Sequence, residues 1–146
     1  MATSLTAGTL TVKITENFSI GGVDRGGEHT VSFSSIDEIS RRIVSVGTTE
    51  VDIVKFDSSN SAGTFTQTEV KYIRITNLDA VNFVVLRLDT ASGDGYIRLE
   101  AGHTFLFGNP RTAFDVDASL THLTAIKADA DTAAVDVEVV IASDRS

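Results

Sequence analysis

Three stretches in the middle of the chain decide the fold: Val70-Lys71-Tyr72-Ile73-Arg74-Ile75-Thr76, Asn82-Phe83-Val84-Val85-Leu86-Arg87-Leu88 and Tyr96-Ile97-Arg98-Leu99-Glu100. Each alternates apolar and polar residues with a period of two, the pattern of a half-buried strand. Ile73, Ile75, Val84, Leu86, Leu88, Ile97 and Leu99 then share a core-facing side. The linkers Asn77-Leu78-Asp79-Ala80 and Ala91-Ser92-Gly93-Asp94-Gly95 are rich in turn formers. Together these features predict an antiparallel meander of three short strands.

The same alternation puts Tyr72, Arg74, Thr76, Phe83, Val85, Arg87, Tyr96, Arg98 and Glu100 on the other side. That side gathers both tyrosines and three of the eight arginines of the chain. A solvated face would be built of Thr, Ser, Lys and Glu, whereas Tyr and Arg are enriched at interface hot spots. Tyr72, Arg74, Phe83, Val85, Arg87, Tyr96 and Arg98 are therefore the candidate protein-interface residues. The pattern alone leaves two covers open, another chain or a loop of the same chain.

Outward from this centre the strand pattern continues. Leu10, Val12 and Ile14 alternate from Thr9 onward, and Val31 and Phe33 do so within 29–35. The pairs Gly21-Gly22 and Gly26-Gly27 bracket a loop through Arg25. Ser35 to Val46 is ambiguous. Ile36, Ile39 and Ile43 have helical spacing, and Ser35 with Glu38 resembles a capping box. The run Ile43-Val44-Ser45-Val46 favours a turn at 36–38 followed by a strand from about Ile39. Strands follow at 50–56, 103–107, 123–128 and 133–142, the last two forming a hairpin around Asp129-Ala130-Asp131-Thr132. Residues 57–67 form a polar loop and 111–122 a longer connection. The sum is nine or ten strands and no long helix, the signature of a β-sandwich, jelly roll or barrel, and is read as a single-domain antiparallel β-sandwich or jelly-roll-like fold over 10–143, with a flexible arm at 1–9.

Composition agrees. Thr, Val, Ile, Phe and Tyr make up 55 of 146 residues, which suits pleated, half-buried surfaces. The absence of Cys excludes disulfides, thiolate metal sites and a Cys nucleophile. A net charge of −8 argues against nucleic-acid binding by phosphate neutralisation. Residues 115–146 hold 7 of the 20 acids but 2 of the 12 bases, either a solvated acidic edge or a docking face for a basic partner. No apolar run approaches the roughly 18 residues of a membrane-spanning helix, and the N-terminus lacks the basic and apolar regions of a signal peptide.

Chemistry-bearing motifs are scarce. His29, His103 and His122 have no metal partner at helical or hairpin spacing, and no nucleophile motif or phosphate loop is present. Asp115-Val116-Asp117 and Asp129-Ala130-Asp131 fail the EF-hand pattern, which requires Gly and Glu where the chain has Leu120 and Ile126, or Ala134 and Val140. Turn carboxylates bonding their own backbone account for Asp129 and Asp131, and a loose cation site joining the two Asp pairs stays open. The reading is of a non-enzyme with no cofactor and no metal.

Several phrases resemble small structural proteins of tailed-bacteriophage virions, notably phages of cyanobacteria and marine bacteria. They are Lys71-Tyr72-Ile73-Arg74-Ile75-Thr76-Asn77-Leu78-Asp79, Asn82 to Leu88, Leu99-Glu100-Ala101-Gly102-His103-Thr104-Phe105, and Leu123 to Thr132 with Val135 to Ile141. The resemblance spans roughly residues 35–142. It implies a head decoration (cement) protein made in the host cytoplasm, placed on the capsid surface and bound to the major capsid protein or other virion proteins. It also favours a homotrimer and brings no catalytic residues. The alternatives are a tail or fibre component and, from another class, a carbohydrate-binding β-sandwich module.

Overall fold

Residues that are apolar at every second position need a second layer to face, and the fold provides it by stacking two sheets. The structure is a computed structural model that describes residues 5–59, 61–109 and 123–145. Among the described residues it is all-β. The first sheet holds β6 (Val51–Asp57), β9 (Val84–Thr90), β10 (Gly93–Leu99) and β12 (Leu123–Ala130) in the order β10-β9-β12-β6. The two-residue β7 (Phe65–Thr66) extends it by a parallel pairing with β6. The second sheet holds β5 (Glu38–Val46), β8 (Val70–Asn77), β11 (Thr104–Gly108) and β13 (Val135–Ser143) in the order β11-β8-β13-β5.

Apart from β7, the chain visits the two sheets in the winding order of a jelly roll: β5, β8, β11 and β13 in one, β6, β9, β10 and β12 in the other. Their inner faces interdigitate. Val46, Ile73, Ile75, Val137, Val139 and Ile141 from one side meet Ile53, Val84, Leu86, Leu99 and Ile126 from the other, all buried. Each large aliphatic side chain removed from water in this way contributes about 1.5–3 kcal/mol.

This topology corrects the expected meander. β9 and β10 do form a hairpin, with Tyr96 opposite Arg87 and Leu99 opposite Val84. β8, however, does not pair with β9; the two lie in opposite sheets. The expected hairpin around 129–132 is corrected in the same way, because β12 and β13 also lie in opposite sheets. Short polar connectors suit an arch between layers as well as a turn within one. At the first arch Asn77 is fully buried, and its side-chain nitrogen donates to the carbonyls of Asn82 (2.9 Å) and Leu99 (3.2 Å). Its side-chain oxygen accepts from the Asp79 amide at 2.9 Å.

A second layer of packing lies outside the sandwich. β1 (Gly8–Glu16) and β4 (Gly27–Ile36) form a long antiparallel hairpin, whose end carries the small ladder of β2 (Ser19–Ile20) and β3 (Val23–Asp24). The proximal part lies across the outer face of the second sheet. Phe33 and Ile36, flanked by Leu10, Val12 and Val31, bury against Tyr72, Val140 and Ala142. Both Phe33 and Ile36 reach that face because the ladder slips between them: Gly8 pairs with Ile36 but Leu10 with Phe33. The extra residue of this bulge is accommodated at Ser35, whose φ is 59°.

Phe33 also rests on Gly108, at the end of edge strand β11. A Cβ there would stand 2.5 Å from Phe33 Cζ and 3.3 Å from the Lys71 carbonyl oxygen. Gly108→Ala should therefore push Phe33 off the sheet at a cost of about 1–3 kcal/mol. Urea unfolding measures the cost. Hydrogen exchange should show the loss of protection concentrated in β1 and β4, with β9 and β12 unchanged.

Candidate functional site

The seven candidate residues do not form one surface. Because β8 and β9 belong to different sheets, Tyr72 and Arg74 lie on the outer face of the second sheet. Val85, Arg87, Tyr96 and Arg98 lie on the outer face of the first, with Phe83 just before β9. The two groups sit on opposite sides of the sandwich.

On the second sheet the cover is intramolecular at Tyr72. Its side chain is 5% exposed, and its ring lies 5.5 Å from that of Phe33 at a tilt of 56°. Burial pushes the phenol up from its ordinary value, opposed by the neighbouring Arg74 and Arg41. Next to it Arg74 donates to Glu138 at 2.5 Å and to the Thr76 hydroxyl. Arg41 reaches the other Glu138 oxygen at 3.4 Å. The hydrogen bond from Arg74 is the main reason the Glu138 carboxyl is held below its ordinary range. Part of this outer face is thus capped by the hairpin, and the rest carries the Arg74–Glu138–Arg41 charges beside the exposed Ile39 and Ile43.

On the first sheet the residues make a network. Arg98 lies 3.7 Å above the Phe83 ring and bonds Glu100 at 2.5 Å. Arg87 is the hub. It meets Glu50 at 3.0 Å and Asp94 at 3.7 Å, and Tyr96, which is 63% exposed, stands across the ladder from it. Lys127 bridges Asp52 at 3.8 Å and Asp89 at 3.5 Å. Asp89 stands directly across the ladder from Asp94, and its carboxyl is held low, first by a hydrogen bond that the Asp94 carboxyl can donate while it carries a proton, and then by the cations Lys127 and Arg87. The half-buried Val85 sits across from Arg98. This face is a network of ion pairs centred on Arg87, whose Nε is nevertheless buried without a hydrogen-bond partner among the described residues.

The histidines are scattered. His29 lies on the hairpin opposite Ile14, and His103 just before β11, where its carbonyl accepts from the Asn77 amide at 3.0 Å. Asp131 accepts from the Thr132 amide at 2.6 Å, as a turn carboxylate does. His122, Asp115, Asp117 and the connection at 111–122 lie outside the described residues. Among the described residues no group of three or more His, Asp or Glu is arranged to hold a metal ion.

Two features escaped the sequence reading. The first is the distal part of the hairpin, which continues past Phe33 and Gly108, beyond edge strand β11. There Ile14, Phe18, Ile20 and Val23 are exposed by 39–60%. Its signal was the alternation of Leu10, Val12 and Ile14, which runs longer than the sheet beneath it. The second is a polar cleft at the end of β13, lined by residues from three separate stretches of the chain, 38–42, 61–69 and 143–145, for which no local signal exists. No protein-family model and no curated protein matches the chain.

The charges make a pH prediction. Glu138 and Asp89 ionise more readily in the fold than at their ordinary values of 4.5 and 3.8. Their contribution is fully present above about pH 5 and is lost as pH falls through 4 and below. Wild type should therefore melt above Glu138→Gln at pH 7, with the gap closing toward about pH 3. Melting curves of both proteins across this range test it. A gap independent of pH would mean that the carboxylate charge does not matter.

Proposed function

We propose that the chain is a non-enzymatic structural protein of a tailed-phage virion, a head decoration protein that acts through protein–protein contacts with the major capsid protein. The observation that carries this reading is the overhanging hairpin. A two-stranded ribbon is marginally stable alone in water. Here its proximal half is anchored on the sandwich, and its distal half exposes Phe18 at 56%, Ile20 at 60% and Val23 at 52%. Apolar side chains gathered at the end of a projecting element suit a surface that completes its burial against another protein. The likeness of residues 35–142 to small virion proteins supplies the partner.

The chemistry follows from geometry. The sandwich is rigid, so a hairpin fixed to it presents its end in one orientation and loses little entropy on docking. A decoration protein repeats such a contact across a symmetric lattice, where many modest contacts act together. The same resemblance favours a trimer on the head surface.

Immunogold labelling of virions of the phage that carries the gene tests the placement. Label over heads is expected; label over tails would move the protein to the tail, and unlabelled virions would sink the reading. The double variant Phe18→Asp with Ile20→Asp should melt like wild type, because both side chains are exposed, yet fail to co-sediment with heads stripped of the protein. Light scattering should return three times the chain mass of 15.5 kDa.

A further inference from the structure

The loop between β6 and β8 folds back toward the end of β13 and leaves a cleft of about 240 Å³. Its walls are fixed by backbone bonds. The Gln67 amide donates to Asp57 at 3.0 Å, the Glu69 amide to Thr66 at 3.0 Å and the Asp144 amide to Glu69 at 2.9 Å. The floor comes from the inner side of β13, where Ser143 is 3% exposed.

The lining carries both signs of charge. Arg145 stands between Glu38 at 2.6 Å and Glu69 at 3.8 Å. Among the described residues Arg42 makes a single hydrogen bond, to the Ile53 carbonyl, which leaves most of its five donors unused there. The Ser143 hydroxyl is buried and has no partner among the described residues. Leaving a buried hydroxyl unpaired is costly, and such groups in folded proteins call for an explanation. Unused guanidinium donors and an orphaned hydroxyl line the same cleft.

Charge selects the class of ligand. A simple anion entering the cleft would meet Glu38 and Glu69, and a simple cation would meet Arg42 and Arg145. Hydroxyl groups donate and accept at once, so a neutral ligand rich in them satisfies both kinds of wall. The half-buried Phe65 side chain adds an apolar surface for its C–H groups. We infer that this cleft binds a small neutral polyhydroxylated ligand, a single sugar ring or a free polyol, with Arg42 and Ser143 supplying the hydrogen bonds that the fold leaves unused. The site stands apart from the hairpin and does not depend on the virion reading.

The test is a titration of the full 15N-labelled chain, followed by its amide shifts. The probes are glucose, galactose, mannose, N-acetylglucosamine, their methyl glycosides, sorbitol, citrate and putrescine, each to about 10 mM, enough to populate a site of millimolar Kd. Saturable shifts confined to the amides of Thr64, Phe65, Glu69 and Ser143 are expected with a neutral probe. Methyl glycosides binding as well as free sugars would identify the end of a glycan as the source; preference for sorbitol would identify a free polyol. Arg42→Gln should weaken binding about tenfold, the loss expected for a charged hydrogen bond. Ser143→Ala should weaken it several-fold while leaving melting unchanged or raised, since its hydroxyl has no partner to lose. Silence from every neutral probe, stronger shifts with citrate or putrescine, or full binding by both variants would overturn the assignment.

Discussion

A strand buried on both faces has no side left to give to water, and β13 is that strand here. From Val139 to Ser143 every residue is buried. Val139 and Ile141 face the inter-sheet core, while Val140 and Ala142, beside Tyr72 of the neighbouring β8, are covered by Phe33 and Ile36 of the outer layer. The same strand pairs with β5 on one edge and β8 on the other. Three interfaces therefore converge on one segment. The hairpin can lie only where Val140 and Ala142 are small enough to admit it, and the outer face opens again at Glu138, where a charge replaces them.

The second constraint is the buried amide of Asn77. A chain leaving one sheet for the other must satisfy its backbone groups away from both ladders. Asn77 does this with its side chain, bonding the carbonyls of Asn82 and Leu99, while its backbone amide bonds His103 and its carbonyl accepts from Gly102. One residue thus holds two crossings, β8 to β9 and β10 to β11. The neighbouring Asp79 carboxylate, held below its ordinary range chiefly by the amides of Asn82 and Val81, fixes the path between. The arch is a polar device inside an apolar fold, stabilised because the buried Asn77 uses its side-chain and backbone donors and acceptors.

These two constraints explain what was legible in the sequence. Alternation located nearly every strand, including β5, where Ile36, Ile39 and Ile43 imitated a helix. It also placed Ile73, Ile75, Val84, Leu86 and Leu99 in the core. It could not assign strands to sheets. Asn77-Leu78-Asp79-Ala80 has the composition of a hairpin turn, and only the burial of Asn77 makes it an arch. That misassignment fused two opposite faces into one and grouped Tyr72 with Tyr96. The excess of Tyr and Arg was read as one covered face, whereas a hairpin of the same chain covers Tyr72, and Tyr96 and Arg98 stay exposed beside a charge network around Arg87. The run Val139-Val140-Ile141-Ala142 was the available clue to cover from within, because a strand solvated on one face cannot be apolar four times in succession.

Among the described residues, those with unused binding capacity lie off the two sheets' shared core: Phe18 and Ile20 at the end of the hairpin, Arg87 on the outer face of the first sheet, Arg42 and Ser143 at a cleft closed by a loop. This separation has a physical basis. Inside the core any unsatisfied polar group or gap lowers stability directly, so selection for folding removes it. Beyond the core, an exposed aromatic or an idle guanidinium costs little, because water partly satisfies it. Ser143 differs, because its hydroxyl is buried and yet unpaired; among the described residues the Arg87 Nε on the outer face of the first sheet shares that state, and at both positions the fold itself bears a cost. A rigid jelly roll can carry that cost because the hairpin, the arch at Asn77 and the double-faced β13 overdetermine the positions of its strands.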